Sequence, residues 1–325
     1  MVQKRRKMKA IFAVLFSLLS VVAFSQTKQD VAKAYNAGAG LMKTNPQAAI
    51  DSLQKGIEIA SQVGSEADEY KQMAEGLLPD SYYQLGIKKY KSKDLEGAAE
   101  AFQKAADAGA KYGDADVKSK AEKIIPQLYF AVGNNEYKNK NYDAAIASFE
   151  KAIAINPNYD KAYFGEFLVY RAQENTDKLI EAADKTIETS KATNDNAILN
   201  KVQSTARDYL VVAAAKFKDK NELDKALELT KKALEYDPEY KEAHYLLATI
   251  YNKQSKWDEA IASANEALKY ENGGAEAKAR IYYELGTAYA GKGENSAACD
   301  AFKKAAVGNY AQSANYQIKN VLKCQ

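Results

Sequence analysis

One histidine, one tryptophan and two cysteines in 325 residues leave little from which to build a reaction centre. A lone imidazole, His244, cannot furnish a multi-histidine metal site. Nothing in the spacing positions a Ser/His/Asp triad, and the carboxylates are spread as on solvated helix faces. No enzyme is expected, and no cofactor or metal. Only five prolines occur, β-branched runs are scarce, and no Pro/Ser-rich linker or low-complexity segment divides the chain. Alanine, lysine, glutamate, leucine and tyrosine dominate instead, a composition that favours an all-α chain. Beyond residue 25 charges of both signs are interspersed, so no block would track a phosphate backbone, and nucleic acid is not implied.

Long apolar runs are absent but for one. Lys4, Arg5, Arg6, Lys7 and Lys9 precede an uncharged stretch, residues 10–24, which ends in Ala23-Phe24-Ser25. The stretch is short for a membrane span, which needs ~20 residues. Basic, apolar and small residues in that order read as a secretory signal over 1–25, with cleavage after Ser25. No cysteine follows to take a bacterial lipid anchor, and no integral membrane span is expected once the signal is removed. Five of the 46 basic residues and none of the 43 acidic ones lie in this segment, so the remainder carries a net charge of −2. The basic character of the whole chain belongs to its first 25 residues.

What is abundant is a recurring pattern. Asn141 to Pro157 reads NYDAAIASFEKAIAINP; ELDKALELTKKALEYDP (Glu222 to Pro238) and WDEAIASANEALKYENG (Trp257 to Gly273) repeat it with drift. A period of this size means helical hairpins, none of which can bury its apolar face without a neighbour. The best unit begins at Pro126 and supplies Tyr129, Val132, Gly133, Tyr142, Ala145, Phe149, Ala152 and Pro157. Another begins at Pro79, with Tyr82, Leu85, Gly86, Ala98, Phe102 and Ala105, and another at Ala279, with Tyr282, Leu285, Gly286, Tyr289, Ala298, Phe302 and Ala305. Ala226 and Ala233, and Ala260 and Ala267, continue the series of small residues. Small residues at such positions let two antiparallel helices approach closely while large ones fill the space between hairpins.

These residues resemble the tetratricopeptide repeat, a 34-residue unit. The resemblance implies an all-α solenoid, a superhelix of about seven helix-turn-helix repeats over residues 26–325. Repeats are expected to start near residues 30, 79, 126, 160, 207, 241 and 279, with a capping helix over 310–323. The first and fourth are degenerate: Gly56 replaces an alanine in one, and Leu179, Ala183 and Thr186 stand at the small and aromatic positions of the other. Two intervals exceed the period by 13 residues, which predicts helices extended toward their N-termini around 116–125 and 196–206, and likewise over 66–78. Pro79 and Pro126 would then kink a long helix or restart one.

In the family, positions 5, 9 and 12 of each first helix face the concave side. Carried onto this chain, position 5 gives Tyr83, Phe130, Phe164, Val211, Tyr245 and Tyr283. Asn134 stands at position 9, and Tyr90, Tyr137, Arg171, Lys218 and Asn252 at position 12. Rings supply large contact area at low entropic cost. The candidate partner-binding residues are therefore Tyr83, Tyr90, Phe130, Asn134, Tyr137, Phe164, Tyr245 and Tyr283. The family's acidic-tail clamp needs lysine at position 5 and asparagine at 9; only Asn134 matches. The resemblance points to a scaffold that binds a protein or peptide, with carbohydrate binding through tyrosine faces as the alternative. His244 and Trp257 fall at packing positions, and Gly291-Lys292-Gly293 reads as a turn between helices. Cys299 and Cys324 are candidates for a disulfide in an oxidising compartment. The periplasm is the expected address, with secretion the alternative.

Overall fold

The computed structural model describes residues 26–325. The signal expected over 1–25 lies outside them. Among the described residues there are fifteen α-helices and no strand. The chain packs as two compact units, one ending at Leu128 and one spanning Tyr129–Gln325.

The N-terminal unit holds α1 (Lys28–Leu41), α2 (Pro46–Val63), α3 (Asp68–Lys91), α4 (Leu95–Tyr112) and the start of α5 (Ala115–Lys138). The C-terminal unit continues with α6 (Tyr142–Ile155), α7 (Asp160–Ala172), α8 (Thr176–Thr193), α9 (Asn196–Asp219) and α10 (Leu223–Tyr236). It then adds α11 (Lys241–Lys253), α12 (Trp257–Tyr270), α13 (Ala275–Lys292), α14 (Asn295–Ala305) and α15 (Ala311–Tyr316). Odd and even helices pair as seven hairpins, and α15 follows the last. Both degenerate repeats fold as hairpins, α1–α2 and α7–α8.

The turn inside a hairpin is nearly invariant in geometry. Lys93, Lys140, Glu174, Asn221, Ser255 and Gly293 each take a left-handed conformation, with φ between 54° and 86°. The next residue closes the helix by donating its backbone N–H to the carbonyl five positions back, as Asp94 to Lys89 and Glu294 to Tyr289. This is the Schellman closure that satisfies the final carbonyls. Only the seventh hairpin uses glycine there, which is the role of Gly293 in the Gly291–Gly293 run. The following helix is then capped: Asp94 Oδ1 accepts from Gly97 N at 2.9 Å, and Asn175 Oδ1 from Lys178 N at 3.2 Å.

Junctions between hairpins come in two kinds. The short kind is a four-residue loop, Asn156–Tyr159 or Asp237–Tyr240, in which Asn156 Oδ1 and Asp237 Oδ1 each accept a backbone N–H two residues on. In the long kind, α2, α4 and α8 reach 18 residues and α3, α5 and α9 reach 24. The expected N-terminal extensions are thus present, and the preceding helix also gains a turn. Asp114 and Asp195 cap the extended helices through Val117 N and Ile198 N. Both α3 and α5 run unbroken through Pro79 and Pro126, so neither proline restarts a helix.

The core follows the pattern of small and large residues. Phe149 is wholly buried between Gly133 of α5 and Gly165 of α7. Phe102 lies on Gly86 and Phe302 on Gly286 in the same way. The terminal segment differs from the single helix expected over 310–323. A 3₁₀ turn, Gly308–Tyr310, leads into the six-residue α15, and Gln317–Val321 is wound as a wider π-type turn. Cys324 is disulfide-bonded to Cys299 of α14, the two Cα atoms 5.7 Å apart. Anchoring the end of the chain there, with Cys324 N donating to Ile318 O, holds the last turn open rather than tightly helical.

Candidate functional site

Within each unit successive first helices touch one another: α1 with α3, and α7, α9, α11 and α13 in series. Their side chains therefore form one layer per unit, in which Tyr83, Tyr90, Phe164, Tyr245 and Tyr283 lie; Phe130, Asn134 and Tyr137 stand on α5. The structure places those residues unequally.

In the N-terminal unit the Tyr83 ring stands edge-on to Phe102 at 5.1 Å, half-buried, while Tyr90 is 57% exposed. In the C-terminal unit Phe130 packs between Phe149 at 5.9 Å and Tyr159 at 5.8 Å, and Tyr137 meets Tyr142 at 6.1 Å. Asn134 is half-buried. Phe164 departs from the row. It is buried, stacks on Phe167 at 5.6 Å, and has the Lys201 ammonium 5.3 Å above its ring. Lys201 belongs to the N-terminal extension of α9, an element the 34-residue family unit lacks, so the ring expected to meet a partner is covered by the protein itself.

Tyr245 and Tyr283 converge with a residue that sequence reasoning did not single out. Tyr310, from the turn after α14, lies 3.4 Å from the Tyr245 hydroxyl and 5.4 Å from the Tyr283 ring. Burial and the Tyr310 hydroxyl push the Tyr245 phenol well above its ordinary range. Arg280 stacks 4.6 Å over Tyr245 and pairs with Glu242 at 2.6 Å. Glu271, only 4% exposed, accepts from Lys241 at 2.8 Å and from Gly273 N, and these bonds hold its carboxyl below the usual range. A cleft of about 380 Å³ opens beside this network, lined by Glu271, Glu276, Ala277, Arg280, Gly308, Asn309 and Tyr310.

Deeper along the same layer, Asn252 Nδ2 donates to Glu284 O at 2.9 Å and to Glu284 Oε2 at 2.8 Å. Burial raises the Glu284 carboxyl despite that bond. Glu166 of α7 is pushed up to about 7, chiefly by burial and further by Glu150, with Lys178 opposing. Between α7, α8 and α9 lies a second cleft of about 320 Å³, where Thr176 Oγ1 and Tyr209 OH meet at 3.3 Å. Arg171, the position-12 residue of the fourth repeat, lines it, as do Lys216 and Lys220. Lysines 216 and 220 carried no signal in the sequence, because an unpaired cation can be recognised only once its neighbours are known.

The remaining motif residues pack. His244 stacks on Tyr270 at 5.7 Å, with Nε2 2.8 Å from Pro238 O. Trp257 covers Gly291, where an added Cβ would fall 2.8 Å from the indole. Lys292 is tied to Asp258 at 2.9 Å and Glu294 at 2.8 Å. Among the described residues no three His, Cys, Asp or Glu side chains gather as metal ligands, and no helix is long and apolar enough to cross a membrane.

No curated protein sequence matches the chain. Structures similar to it include a crystal structure of MamA protein (19% identity, 61% of this chain and 97% of that one, TM-score 0.37). Others are YrrB, described as a TPR protein with an unusual peptide-binding site (20%, 69% and 96%, 0.35), and the TPR2AB-domain:pHSP90 complex of yeast Sti1 (17%, 91% and 98%, 0.34). Three tetratricopeptide repeat models match the sequence itself, at residues 126–159, 219–281 and 253–314. Those spans coincide with the hairpin α5–α6 and with the series from α10 to α14 that shares its turns and spacing. The chain is a tetratricopeptide repeat protein.

Proposed function

We propose that this chain is a non-catalytic scaffold of the cell envelope that binds a protein or peptide partner on the side chains its first helices present within each unit. The observation that carries the reading is the uneven use of those side chains. Second helices spend their small and aromatic residues on packing, whereas the first helices leave Tyr90 mostly exposed and Tyr83, Tyr137, Tyr245 and Tyr283 half-exposed. Half-exposed rings held by an edge contact are already ordered, so a partner loses little entropy in gripping them. The basic-apolar-small order of residues 1–25 supports export, and the paired cysteines suit an oxidising compartment such as the periplasm. Carbohydrate binding draws no support from Trp257, whose ring is engaged on Gly291.

The test is crosslinking in the native envelope followed by mass spectrometry, with wild type beside a Tyr90→Ala/Tyr137→Ala variant. Wild type should yield a defined protein partner, and the variant should lose it with its helical circular dichroism unchanged. A partner retained in full by the variant would remove these faces from the interaction.

A further inference from the structure

We propose that the cleft between α7, α8 and α9 seats an acidic peptide segment with an aliphatic residue at its centre. The inference rests on the scaffold reading and names the chemistry of one partner site on it.

Three observations converge there. First, Val212, Lys216 and Lys220 stand four residues apart along α9, on one helical face. Val212 is 59% exposed, an unusual state for a β-branched apolar residue in the middle of a helix, and Phe217 lies beside it with the Lys220 ammonium 5.8 Å above its ring. The stripe thus offers an apolar floor flanked by positive charge. Second, these cations are unneutralised. Some lysines of this unit, such as Lys225, Lys232 and Lys241, have a carboxylate within ion-pair distance and others, such as Lys191 and Lys231, do not; what sets this cleft apart is that three cations without one share its lining. Arg171, Lys216 and Lys220 have none among the described residues, and the lining contains one carboxylate, Glu174, against three cations. Like charges at i and i+4 repel, and among the described residues no carboxylate pairs with Lys216 or Lys220. Third, the surplus is local. Beyond residue 25 the chain is net acidic, so this is a positive patch on a negative protein.

Charge complementarity selects an anionic occupant, and Val212 and Phe217 select one with an aliphatic side chain between its charges. A short peptide with Asp or Glu on both sides of a Leu meets both demands. Nucleic acid meets only the first, since its bases would need stacking platforms rather than a valine floor, and no longer basic track leads away from the cleft. The residues concerned are also distinct from the lysine-and-asparagine clamp that the family uses for acidic tails.

The experiment is fluorescence anisotropy on the whole chain after removal of residues 1–25. The probe is a labelled peptide carrying Leu between Asp and Glu residues, with an Asn/Gln version and a single-stranded oligonucleotide as comparisons. Wild type should bind the acidic peptide roughly tenfold more tightly than the neutral one, and added salt should erase that margin. Lys216→Glu/Lys220→Glu should lose the preference and acquire one for a Lys-containing peptide, a gain that misfolding cannot mimic. Val212→Asp should weaken the acidic peptide by a similar factor. Equal binding of acidic and neutral peptides overturns the proposal, as does an acidic peptide indifferent to all three substitutions. An oligonucleotide that binds through the same lysines while the peptide does not would reassign the cleft. If the crosslinked partner of the preceding section is found but the acidic peptide is ignored, this inference falls and the scaffold reading stands; if neither is found, both fall.

Discussion

Phe149 is held between two glycines, and that sandwich can be tested. Its ring is fully buried, with Gly133 on one side and Gly165 on the other; an added Cβ would fall 2.5 Å from Cε1 in the first case and 2.6 Å from Cζ in the second. Replacing Gly133 by alanine sets two effects against each other. Alanine is favoured over glycine in a helix interior by about 1 kcal/mol. Forcing a methyl into a closed space costs about 1–3 kcal/mol. At Gly86 and Gly286 the nearest ring atom is 2.9 Å away and the ring leans on one glycine only, so the two terms nearly cancel there. At Gly133 the ring cannot retreat, because Gly165 closes the far side. Gly133→Ala should therefore destabilise by about 1–2 kcal/mol, or about 2–4 °C for each kcal/mol in a unit of this size. Urea unfolding followed by circular dichroism measures it, and Phe149→Leu supplies the control. If the clash is the cause, Phe149→Leu costs ~1 kcal/mol less in the Gly133→Ala background than in wild type. A stabilising Gly133→Ala, or strictly additive substitutions, would refute the reasoning.

The disulfide closes a loop of 25 residues, so Cys299→Ser/Cys324→Ser should cost about 3 kcal/mol by chain entropy, read as a lower urea midpoint that wild type reproduces under a thiol reductant. Insensitivity of wild type to the reductant would show that the bond contributes nothing. Glu166 offers a test of linkage. Its carboxyl titrates near 7 in the folded protein, above the ordinary 4.5, so its ionisation opposes folding: the penalty is absent below about pH 4.5, develops up to about 7 and is complete above. Full burial would make that about 3 kcal/mol, and the solvent contact Glu166 keeps reduces it to about 1 kcal/mol. Glu166→Gln should accordingly raise the melting temperature at pH 8 and leave it unchanged at pH 4; a shift that does not depend on pH would contradict the assignment.

How far the sequence could be read depended on the range of the interactions involved. Hairpin number and register were legible because Ala145, Phe149 and Ala152 in α6, with their counterparts in other repeats, act through contacts within a hairpin or with the next one. The extended helices were legible too, since intervals 13 residues too long had to be absorbed somewhere and the surplus was helix-compatible. Burial of Phe164 was not, because Lys201 covers it from a segment for which the family pattern has no position. Tyr310 escaped notice for a related reason: the 3₁₀ turn that brings it beside Tyr245 and Tyr283 replaces what sequence periodicity reads as the start of a helix. The cleft of Arg171, Lys216 and Lys220 is defined by missing partners, and a missing partner has no sequence signal.

The degenerate fourth repeat shows what the repeat conserves physically. Where other hairpins put Ala152, Ala233 or Ala267, α8 puts Thr186, and Thr189 and Ser190 follow it, all three buried. A buried hydroxyl without a partner would be costly. Here Thr186 Oγ1 donates to Ala182 O at 2.7 Å and Thr189 Oγ1 to Lys185 O at 2.8 Å, while Thr193 Oγ1 reaches the buried Asp160 carboxylate at 3.0 Å. Turned back on their own helix, the Thr186 and Thr189 hydroxyls cost little more room than methyl groups, so the close approach of α8 to its neighbours survives. The extended junction of α4 and α5 reaches the same end with Ala105, Ala108 and Gly109, the last so close that a Cβ would sit 2.7 Å from Asp114 O. Lengthening at the junction adds an antiparallel pair that buries its own face, whereas lengthening the turn within a hairpin would break the six left-handed closures. Across the extended junctions α2–α3 and α8–α9 the first helices accordingly still touch, α1 with α3 and α7 with α9.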